Sequence, residues 1–421
     1  MVGACRATPA SRVKVNSYAG AGAPVGRVDT QQGLCYDEGE RSPPLKGDNM
    51  TTQHTRAFAY VGNYTRIEPY ARGRADGINV YSLDLSSGAM SLLQTVEGAI
   101  NPTFLTLDST QRHLYAVNAV PEIDDHPGGA ISAYAVDRQT GLLTYLNRQS
   151  TGGPGPCFVT VDATDSFVLA TNYQGGSVAV LPIRTDGSLD AMSDFVQHVG
   201  SSVNARRQEK AHAHSVNIDQ KNCHALVCDL GMDKVMIYRL DLAAGRLIPN
   251  NQPWVRSRPG AGPRHLSFHP NGRYAYVINE LDSTVSVYAY DAGHGALTEL
   301  QTLSTLPQDF IGDNTTAEVR VAPSGRFVYG SNRGHDSIVI YAVDEQTGRL
   351  TYVGHEASQG KIPRNFTLSP DGALMLVANQ DSDTIVAFHV DRQTGKLTPT
   401  GQITSSPSPV CVKVAVMEGT E

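Results

Sequence analysis

The sequence lacks the features that mark membrane-spanning and nucleic-acid-binding proteins. No apolar stretch reaches the length that a membrane span needs, and the N-terminus has no hydrophobic segment typical of a secretion signal. The formal net charge is −7 without a run of basic residues, so there is no electrostatic case for nucleic acid. We expect neither a membrane nor a nucleic acid as partner, although a local arginine cluster can still bind a small anion.

Cysteine is scarce and irregularly placed. The six cysteines are Cys5, Cys35, Cys157, Cys223, Cys228 and Cys411. They form no Cys-x-x-Cys pair, and free thiols in a reducing compartment are the simplest interpretation, which predicts a cytoplasmic protein. The only candidate zinc ligands are His212, His214, Cys223, His224 and Cys228. Their spacing matches no usual ligand set, so we predict neither a metal nor another cofactor.

The first part of the chain shows no structural pattern. Residues 1–55 are polar, aperiodic and rich in Gly, Ala, Ser, Arg and Pro, whereas patterned sequence begins abruptly at Arg56. We interpret 1–55 as a leader that is disordered or precedes the true start, and we expect translation to begin at Met50. Mass spectrometry of the natural N-terminus tests this, since a peptide from before Met50 would contradict it. Residues 56–417 are predicted to form the folded domain.

What the patterned region does contain is internal repetition with a spacing of about fifty residues. Seven apolar strands end in an Asn or Asp, at Asn63, Asn118, Asn172, Asp229, Asn279, Asn332 and Asn379. A second strand follows each, and a third opens with Gly-x-Leu, as at Gly348-Arg349-Leu350. An innermost strand precedes each Asn strand through a turn such as Pro270-Asn271-Gly272. Each repeat is therefore four short antiparallel strands, which is one blade of a β-propeller.

The two ends of the patterned region complement each other. Residues 57–96 supply three strands without an innermost one, and Pro409–Val414 is an innermost strand without a blade. Pairing them closes the ring and removes two free sheet edges. We therefore predict an all-β, seven-bladed propeller of four-stranded antiparallel blades, closed by the C-terminal strand joining the N-terminal blade. The alternative is a β-helix or an open solenoid. Repeats near fifty residues are too long for most β-helices, and the split blade favours a closed ring.

Charged residues interrupt the repetition at a few equivalent positions. We call the seven Asn or Asp residues at these strand ends the Asn column and interpret it as structural. Among the residues that directly follow the column, only Glu280 and Arg333 are charged. The innermost strands carry His214, Arg264, His265, Glu318 and Arg364 near their beginnings. Innermost strands line the central channel, so we expect these side chains to converge, although channel charges can also be merely solvated or paired. The spacing of His212 and His214 predicts both imidazoles on one face of a strand.

These segments resemble the seven-bladed propeller lactonases, a family that includes propeller-type 6-phosphogluconolactonases and fungal carboxy-cis,cis-muconate cyclases. The matching segments are Ala211–Ser215, Gly262–His265, Asn279–Leu281, Ala317–Val319, Ser331–Ser337 and Pro363–Phe366, within a resemblance from about Phe58 to Val416. The resemblance implies four catalytic residues, which are one histidine of His-x-His together with Arg264, Glu280 and Arg333. We favour His214 over His212 as that histidine. The expected substrate-binding residues are His212, His265, Glu318 and Arg364.

These residues suit the opening of a lactone by water. Either Glu280 or His214 can act as base, and Arg264 can stabilise the oxyanion. Arg333, together with Arg364, can bind a phosphate or carboxylate of the substrate as a bidentate fork. No Gly-x-Ser-x-Gly nucleophile elbow is present, which favours direct water attack over an acyl-enzyme.

Three functions remain open from the sequence. The first is hydrolysis of a sugar lactone, 6-phosphogluconolactone above all, with a small anionic lactone as partner, in the pentose phosphate pathway. The second is other lactone chemistry, such as carboxy-muconate cyclisation or hydrolysis of an unphosphorylated lactone. The third is a non-catalytic propeller that acts as a binding scaffold, which the absence of WD and kelch signatures disfavours. Arginine binds phosphate and carboxylate alike, so the sequence does not choose between anionic groups.

Overall fold

The computed structural model describes residues 55–68, 71–123 and 126–418. The predicted leader, apart from Thr55, and the predicted start at Met50 lie outside these residues. All of the described strands belong to the compact unit Gln53–Glu421.

Nearly all of the regular structure is β-strand. In chain order, the strands up to the third repeat are β1 (Thr55–Asn63), β2 (Ile67–Glu68), β3 (Ala71–Arg72), β4 (Gly77–Leu83), β5 (Met90–Glu97), β6 (Leu105–Leu107), β7 (His113–Asn118), β8 (Glu122–Ile123), β9 (His126–Pro127), β10 (Ala130–Val136), β11 (Leu143–Ser150), β12 (Pro156–Val161), β13 (Phe167–Asn172), β14 (Ser177–Pro182) and β15 (Asp194–Gln197). The remaining strands are β16 (Ala213–Ile218), β17 (His224–Asp229), β18 (Lys234–Asp241), β19 (Arg246–Arg256), β20 (Pro263–Phe268), β21 (Tyr274–Asn279), β22 (Thr284–Asp291), β23 (Ala296–Ser304), β24 (Thr315–Val321), β25 (Phe327–Arg333), β26 (Ser337–Val343), β27 (Leu350–Ala357), β28 (Pro363–Leu368), β29 (Leu374–Asn379), β30 (Thr384–Val390), β31 (Leu397–Ser405) and β32 (Pro409–Glu418). Two short 3-10 helices, Leu230–Met232 and Gln380–Ser382, follow β17 and β29. No helix of the described residues has the length and apolar character to cross a membrane.

Twenty-eight of these strands form seven four-stranded antiparallel sheets, which confirms the predicted seven-bladed propeller. We number the blades along the chain. Blade 1 has the order β32-β1-β4-β5, and blade 2 is β6-β7-β10-β11. Blades 3 to 7 each take four consecutive strands, starting at β12, β16, β20, β24 and β28. The pairs β2–β3 and β8–β9 are small separate hairpins.

The ring closes as the sequence predicts. β32 pairs antiparallel with β1 from Thr55 opposite Glu418 to Asn63 opposite Pro409. The last strand is thus the innermost strand of blade 1, which is otherwise formed by the beginning of the domain. Each of the seven blades in the described residues therefore has four strands.

A repeated tyrosine ties neighbouring blades together. The hydroxyl of Tyr276 in blade 5 donates to the carbonyl of Gly348 in blade 6 at 3.1 Å, and Tyr60 and Tyr329 make the same contact with later blades. A buried phenol needs such a partner. Gly348 has a φ of 70°, and a Cβ there would lie 2.3 Å from the Tyr274 ring. The glycine of this Gly-x-Leu pattern is therefore required both by the turn and by the close packing of neighbouring blades.

The Asn column is structural, as predicted. Asn332 is fully buried, and its Nδ2 donates to the carbonyl of Thr305 at 2.8 Å. Asn379 donates to the carbonyl of Ser358 at 3.0 Å in the same manner. Each side chain holds the end of its strand to the connection that enters the blade, close to where the innermost strands begin.

Candidate active site

A pocket of about 470 Å³ opens where the innermost strands begin and the Asn strands end. All seven blades contribute residues to its wall. Six of the eight residues predicted for the site line it, namely His214, Arg264, His265, Glu280, Arg333 and Arg364. The ring thus gathers side chains that are far apart in the chain.

A bulge near the start of several innermost strands turns a side chain toward this pocket. In blade 5, Pro263 pairs with Asn279 and His265 with Ile278, so Arg264 has no partner of its own across the ladder. The extra residue of a bulge is turned out of the regular alternation. The same irregularity occurs at His214 in blade 4 and at Arg364 in blade 7.

Glu280 is the anionic centre of the site. Its Oε2 accepts from Arg264 Nε at 2.8 Å and lies 3.0 Å from Arg333 Nη2, and its Oε1 accepts from Arg207 Nη2 at 2.5 Å. Burial opposes ionisation, but Arg333, Arg264 and Arg207 hold the pKa of Glu280 well below its ordinary value. Glu280 is therefore a carboxylate at neutral pH with both oxygens engaged.

Arg264 is held from two further directions. Its Nη1 donates to the carbonyl of Ala317 at 2.7 Å and to His265 Nε2 at 3.1 Å. Burial lowers the pKa of His265 to about 4, so its imidazole is neutral and can accept from the guanidinium. The other ring nitrogen of His265, Nδ1, lies 3.2 Å from Glu318 Oε1 without the geometry of a hydrogen bond. That contact is therefore electrostatic. These contacts fix the direction of Arg264.

His214 is a neutral imidazole on the pocket wall. Burial and the neighbouring Arg264 lower its pKa well below the ordinary value. Its ring meets those of His265 and Tyr173 edge-on, at centroid distances of 5.1 and 5.4 Å. Its Nδ1 is 3.9 Å from the sulfur of Cys157, whose pKa burial raises to about 11. His214 is thus uncharged at neutral pH, and Cys157 remains a thiol.

Two predicted site residues lie outside the pocket wall. β16 begins at Ala213, so the two-residue spacing of His212 and His214 does not put them on one face of a strand, and that prediction is wrong. His212 instead stacks on Tyr173 at 4.6 Å, and its Nδ1 is 2.9 Å from that residue's carbonyl. In blade 6 the bulge spans two residues, and Glu318 lies behind the wall, where it accepts from Asn365 and pairs with Arg320.

The sequence reasoning missed Arg207 and Tyr173, both of which line the pocket. Arg207 lies in the connection 198–212, which the repeats do not cover and which is longer than the other described connections between blades. That length was the available signal, because an insertion in a repeat protein often carries function. Tyr173 directly follows the Asn column, where an uncharged residue does not stand out from the repeat.

The described residues contain no group of three or more His, Cys, Asp or Glu side chains suited to hold a metal ion. His224, one of the zinc candidates, lies at the opposite end of β17 from Asp229, with its Nδ1 3.2 Å from Asp219 Oδ2. We therefore describe the candidate site by the side chains that line it.

Fold and pocket together define a seven-bladed propeller with an arginine-rich site for a small molecule. Residues 58–414 match the family model described as lactonase, 7-bladed beta-propeller. The chain belongs to this lactonase family.

Its relatives carry related names. A protein of Bacillus subtilis named 6-phosphogluconolactonase is 36% identical over 312 residues, which cover 74% of this chain and 85% of that protein. A 6-phosphogluconolactonase of Formosa agariphila is 34% identical over 73% of this chain and 85% of its own length. The solved structure of a periplasmic gluconolactonase of Pseudomonas aeruginosa superimposes with a TM-score of 0.79 and 34% identity, covering 86% of this chain and 99% of that one.

Proposed function

We propose that this chain hydrolyses 6-phosphogluconolactone to 6-phosphogluconate by direct attack of water. The observation that carries the proposal is the charge of the pocket wall. Four arginines, Arg207, Arg264, Arg333 and Arg364, face two carboxylates, Glu280 and Asp381. With neutral histidines the wall has a surplus of positive charge inside a protein of net charge −7. Such a site favours a substrate with a phosphoryl group over a neutral sugar.

The proposed base is His214. A general base must be unprotonated and must face the substrate, and the imidazole of His214 is neutral and lines the pocket. The Glu280 carboxylate is also unprotonated, but three guanidinium groups already use its oxygens. Its proposed role is to hold those arginines in place.

In the proposed reaction, a water adds to the lactone carbonyl while His214 takes its proton. Arg264, fixed by Glu280 and Ala317, stabilises the oxyanion that forms. Collapse of the tetrahedral intermediate breaks the bond to the ring oxygen, and the imidazolium of His214 returns the proton to that oxygen. The remaining arginines hold the substrate's own anionic group, and no covalent intermediate is needed.

A second candidate is hydrolysis of an unphosphorylated sugar lactone, which the name of the Pseudomonas aeruginosa structure favours. Acid release from 6-phosphogluconolactone and from glucono-lactone, measured above the spontaneous rate, separates the two. We expect a markedly higher kcat/KM for the phosphorylated lactone. A preference for the unphosphorylated sugar would favour the second candidate, and no acceleration of any lactone would favour a binding scaffold.

We also propose a cytoplasmic location. Cys157, Cys228 and Cys411 form no disulfide within the described part of the chain, as in proteins from reducing compartments. Fractionation of the natural host with detection of this chain tests the proposal, and recovery outside the cytoplasm would refute it.

A further inference from the structure

The most accessible of the three arginines on Glu280 comes from a connection and not from a blade. Arg207 lies in the connection 198–212 between β15 and β16. Its side chain is 39% exposed, compared with 3% for Arg264 and 10% for Arg333. A ligand entering the pocket therefore meets Arg207 before the other two.

Arg207 keeps hydrogen-bond donors for a ligand. Its Nη2 donates to Tyr173 Oη at 3.1 Å and to Glu280 Oε1 at 2.5 Å, while its Nε and Nη1 have no protein acceptor in the described ranges of the chain. A guanidinium has five N–H groups, so about three remain unused. Arg264 differs, because both its Nε and its Nη1 are occupied by protein.

The Tyr173 hydroxyl adds a further donor at the same place. Its oxygen accepts from Arg207, so its own hydrogen is available to a ligand in the pocket. Burial, together with Glu280, raises the pKa of Tyr173, which keeps this hydrogen in place at neutral pH. Arg207 and Tyr173 thus form a donor pair suited to a phosphoryl group.

The backbone around Arg207 is fixed before any ligand binds. Asn204 Oδ1 accepts from the backbone N–H groups of Arg206 and Arg207 at 3.1 and 3.2 Å. The next residue, Gln208, is fully buried and donates to the carbonyl of Leu230 at 2.9 Å and to Asp233 Oδ1 at 2.7 Å. Such preorganisation reduces the conformational entropy lost on binding.

Asp229, the one aspartate in the Asn column, fastens both ends of the same connection. Its Oδ2 is 2.6 Å from Nδ1 of His198, the first residue of the connection. Its Oδ1 accepts from the backbone N–H of His212, the last residue, at 2.9 Å. The side chains of His198 and Asp229 are at most 1% exposed. A carboxylate accepts hydrogen bonds with both oxygens, here from the His198 ring and from the His212 backbone N–H. An amide has only one oxygen, which explains why this position of the column is Asp and not Asn.

From these contacts we infer that Arg207, with the Tyr173 hydroxyl, recognises the phosphoryl group of the substrate and determines specificity for it. The connection 198–212 presents this residue, and Asp229 holds the connection in place. The inference rests on the proposed function and refines it. Arg264 then stabilises the oxyanion at the lactone carbonyl, while Arg207 binds the distant phosphoryl group.

The test compares Arg207→Ala with Arg206→Ala, a neighbour whose side chain is exposed. The kcat/KM of Arg207→Ala for 6-phosphogluconolactone should be lower than that of the wild type by about 30-fold or more, because charge-assisted hydrogen bonds are lost. The decrease should come mainly from a higher KM. Its kcat/KM for glucono-lactone should fall by less than about 5-fold. Arg207→Lys keeps the charge without the fork and should recover part of the loss. Arg206→Ala should match the wild type on both lactones.

Calorimetric titration with inorganic phosphate gives a readout that needs no turnover, and thermal melting checks that each variant is folded. We expect weaker phosphate binding in Arg207→Ala than in Arg206→Ala. Equal losses on both lactones would mean that Arg207 acts only through Glu280 and would overturn the inference, as would unchanged phosphate affinity. A wild type that opens no lactone but binds phosphate through Arg207 would refute the proposed function and support the anion contact.

Discussion

Cys157 in blade 3 and Arg264 in blade 5 occupy the same place in their blades. Each follows a proline that pairs with the Asn of the column, and each falls in the bulge after it. One presents an un-ionised thiol to the pocket and the other a guanidinium held by Glu280. Since the backbone is the same, the side chain alone makes the chemical difference.

The lining of the whole pocket shows the same division between charged and uncharged side chains. We call the wall from the connection 198–212 through blades 4 to 7 the charged arc, which comprises Arg207, His214, Arg264, His265, Glu280, Arg333 and Arg364. We call the wall from blades 1 to 3 the neutral arc, which comprises Tyr64, Thr103, Ala119, Cys157, Tyr173 and Val410. Charge is thus confined to one side of a repeating scaffold. The comparison assigns catalysis and anion binding to the charged arc. It assigns shape and packing to the neutral arc, except that the Tyr173 hydroxyl joins Arg207 in binding the anion.

The largest effect is expected at the centre of the charged arc. Arg264→Ala removes the proposed oxyanion donor, so kcat should fall by about 100- to 1,000-fold. Steady-state lactone hydrolysis measures this. A kcat near that of the wild type would remove the distinction between the arcs.

Glu280→Gln tests whether the carboxylate organises the arginines. It leaves buried guanidinium groups without their counter-charge, so kcat should fall by about 100-fold and the free energy of unfolding by about 3 kcal/mol. Kinetics and urea unfolding measure the two effects. Loss of activity with unchanged stability would contradict the organising role and return Glu280 to the candidates for the base.

The histidines of the charged arc make stability depend on pH. The fold keeps His265 neutral down to about pH 4, whereas the unfolded chain protonates it near pH 6.5. The unfolded state then binds more protons, so stability falls as the pH falls through this window, by up to about 1.4 kcal/mol per pH unit for each such histidine. His214 acts in the same direction.

Urea unfolding at about pH 7 and about pH 5 measures the slope, with His265→Gln as the comparison. The window lies above the range in which Glu318, with a pKa of about 2, contributes. The variant should be less sensitive to pH than the wild type. Equal slopes in both proteins would show that His265 is not held neutral by the fold.

The smallest effect is expected in the neutral arc. Cys157→Ala removes a thiol that burial keeps protonated, and kcat should change by less than about 3-fold. The thiol should also resist alkylation at neutral pH. A loss as large as that of Arg264→Ala would place catalysis in the neutral arc as well.

The sequence predicted the fold because repetition supplied its own comparison. Seven copies of one pattern and a split blade led to the ring, and the model has that ring with its predicted closure. The convergence of His214 and Arg264 followed from the ring, because innermost strands meet at the channel. Glu280 and Arg333 come next to them because they follow the Asn strands that pair with innermost strands. Their chemical roles remain predictions that the experiments above test.

What failed did so for physical reasons. The two-residue period of a strand does not extend before Ala213, where β16 begins, so it misplaced His212. The two-residue bulge of blade 6 likewise breaks the period, so the sequence gave no warning that Glu318 lies outside the pocket wall. Arg207 lies in a connection without equivalents in other blades, so repetition offered nothing to compare it with.

A crystal structure of the protein with 6-phosphogluconate, combined with the affinity of that ligand in solution, locates the bound anions. We predict its carboxylate beside Arg264 and His214 and its phosphoryl group within hydrogen-bond reach of Arg207. The sugar chain should lie against the neutral arc. A ligand bound away from the charged arc, or a pocket that stays empty at saturating ligand, would contradict the division of the site that we describe.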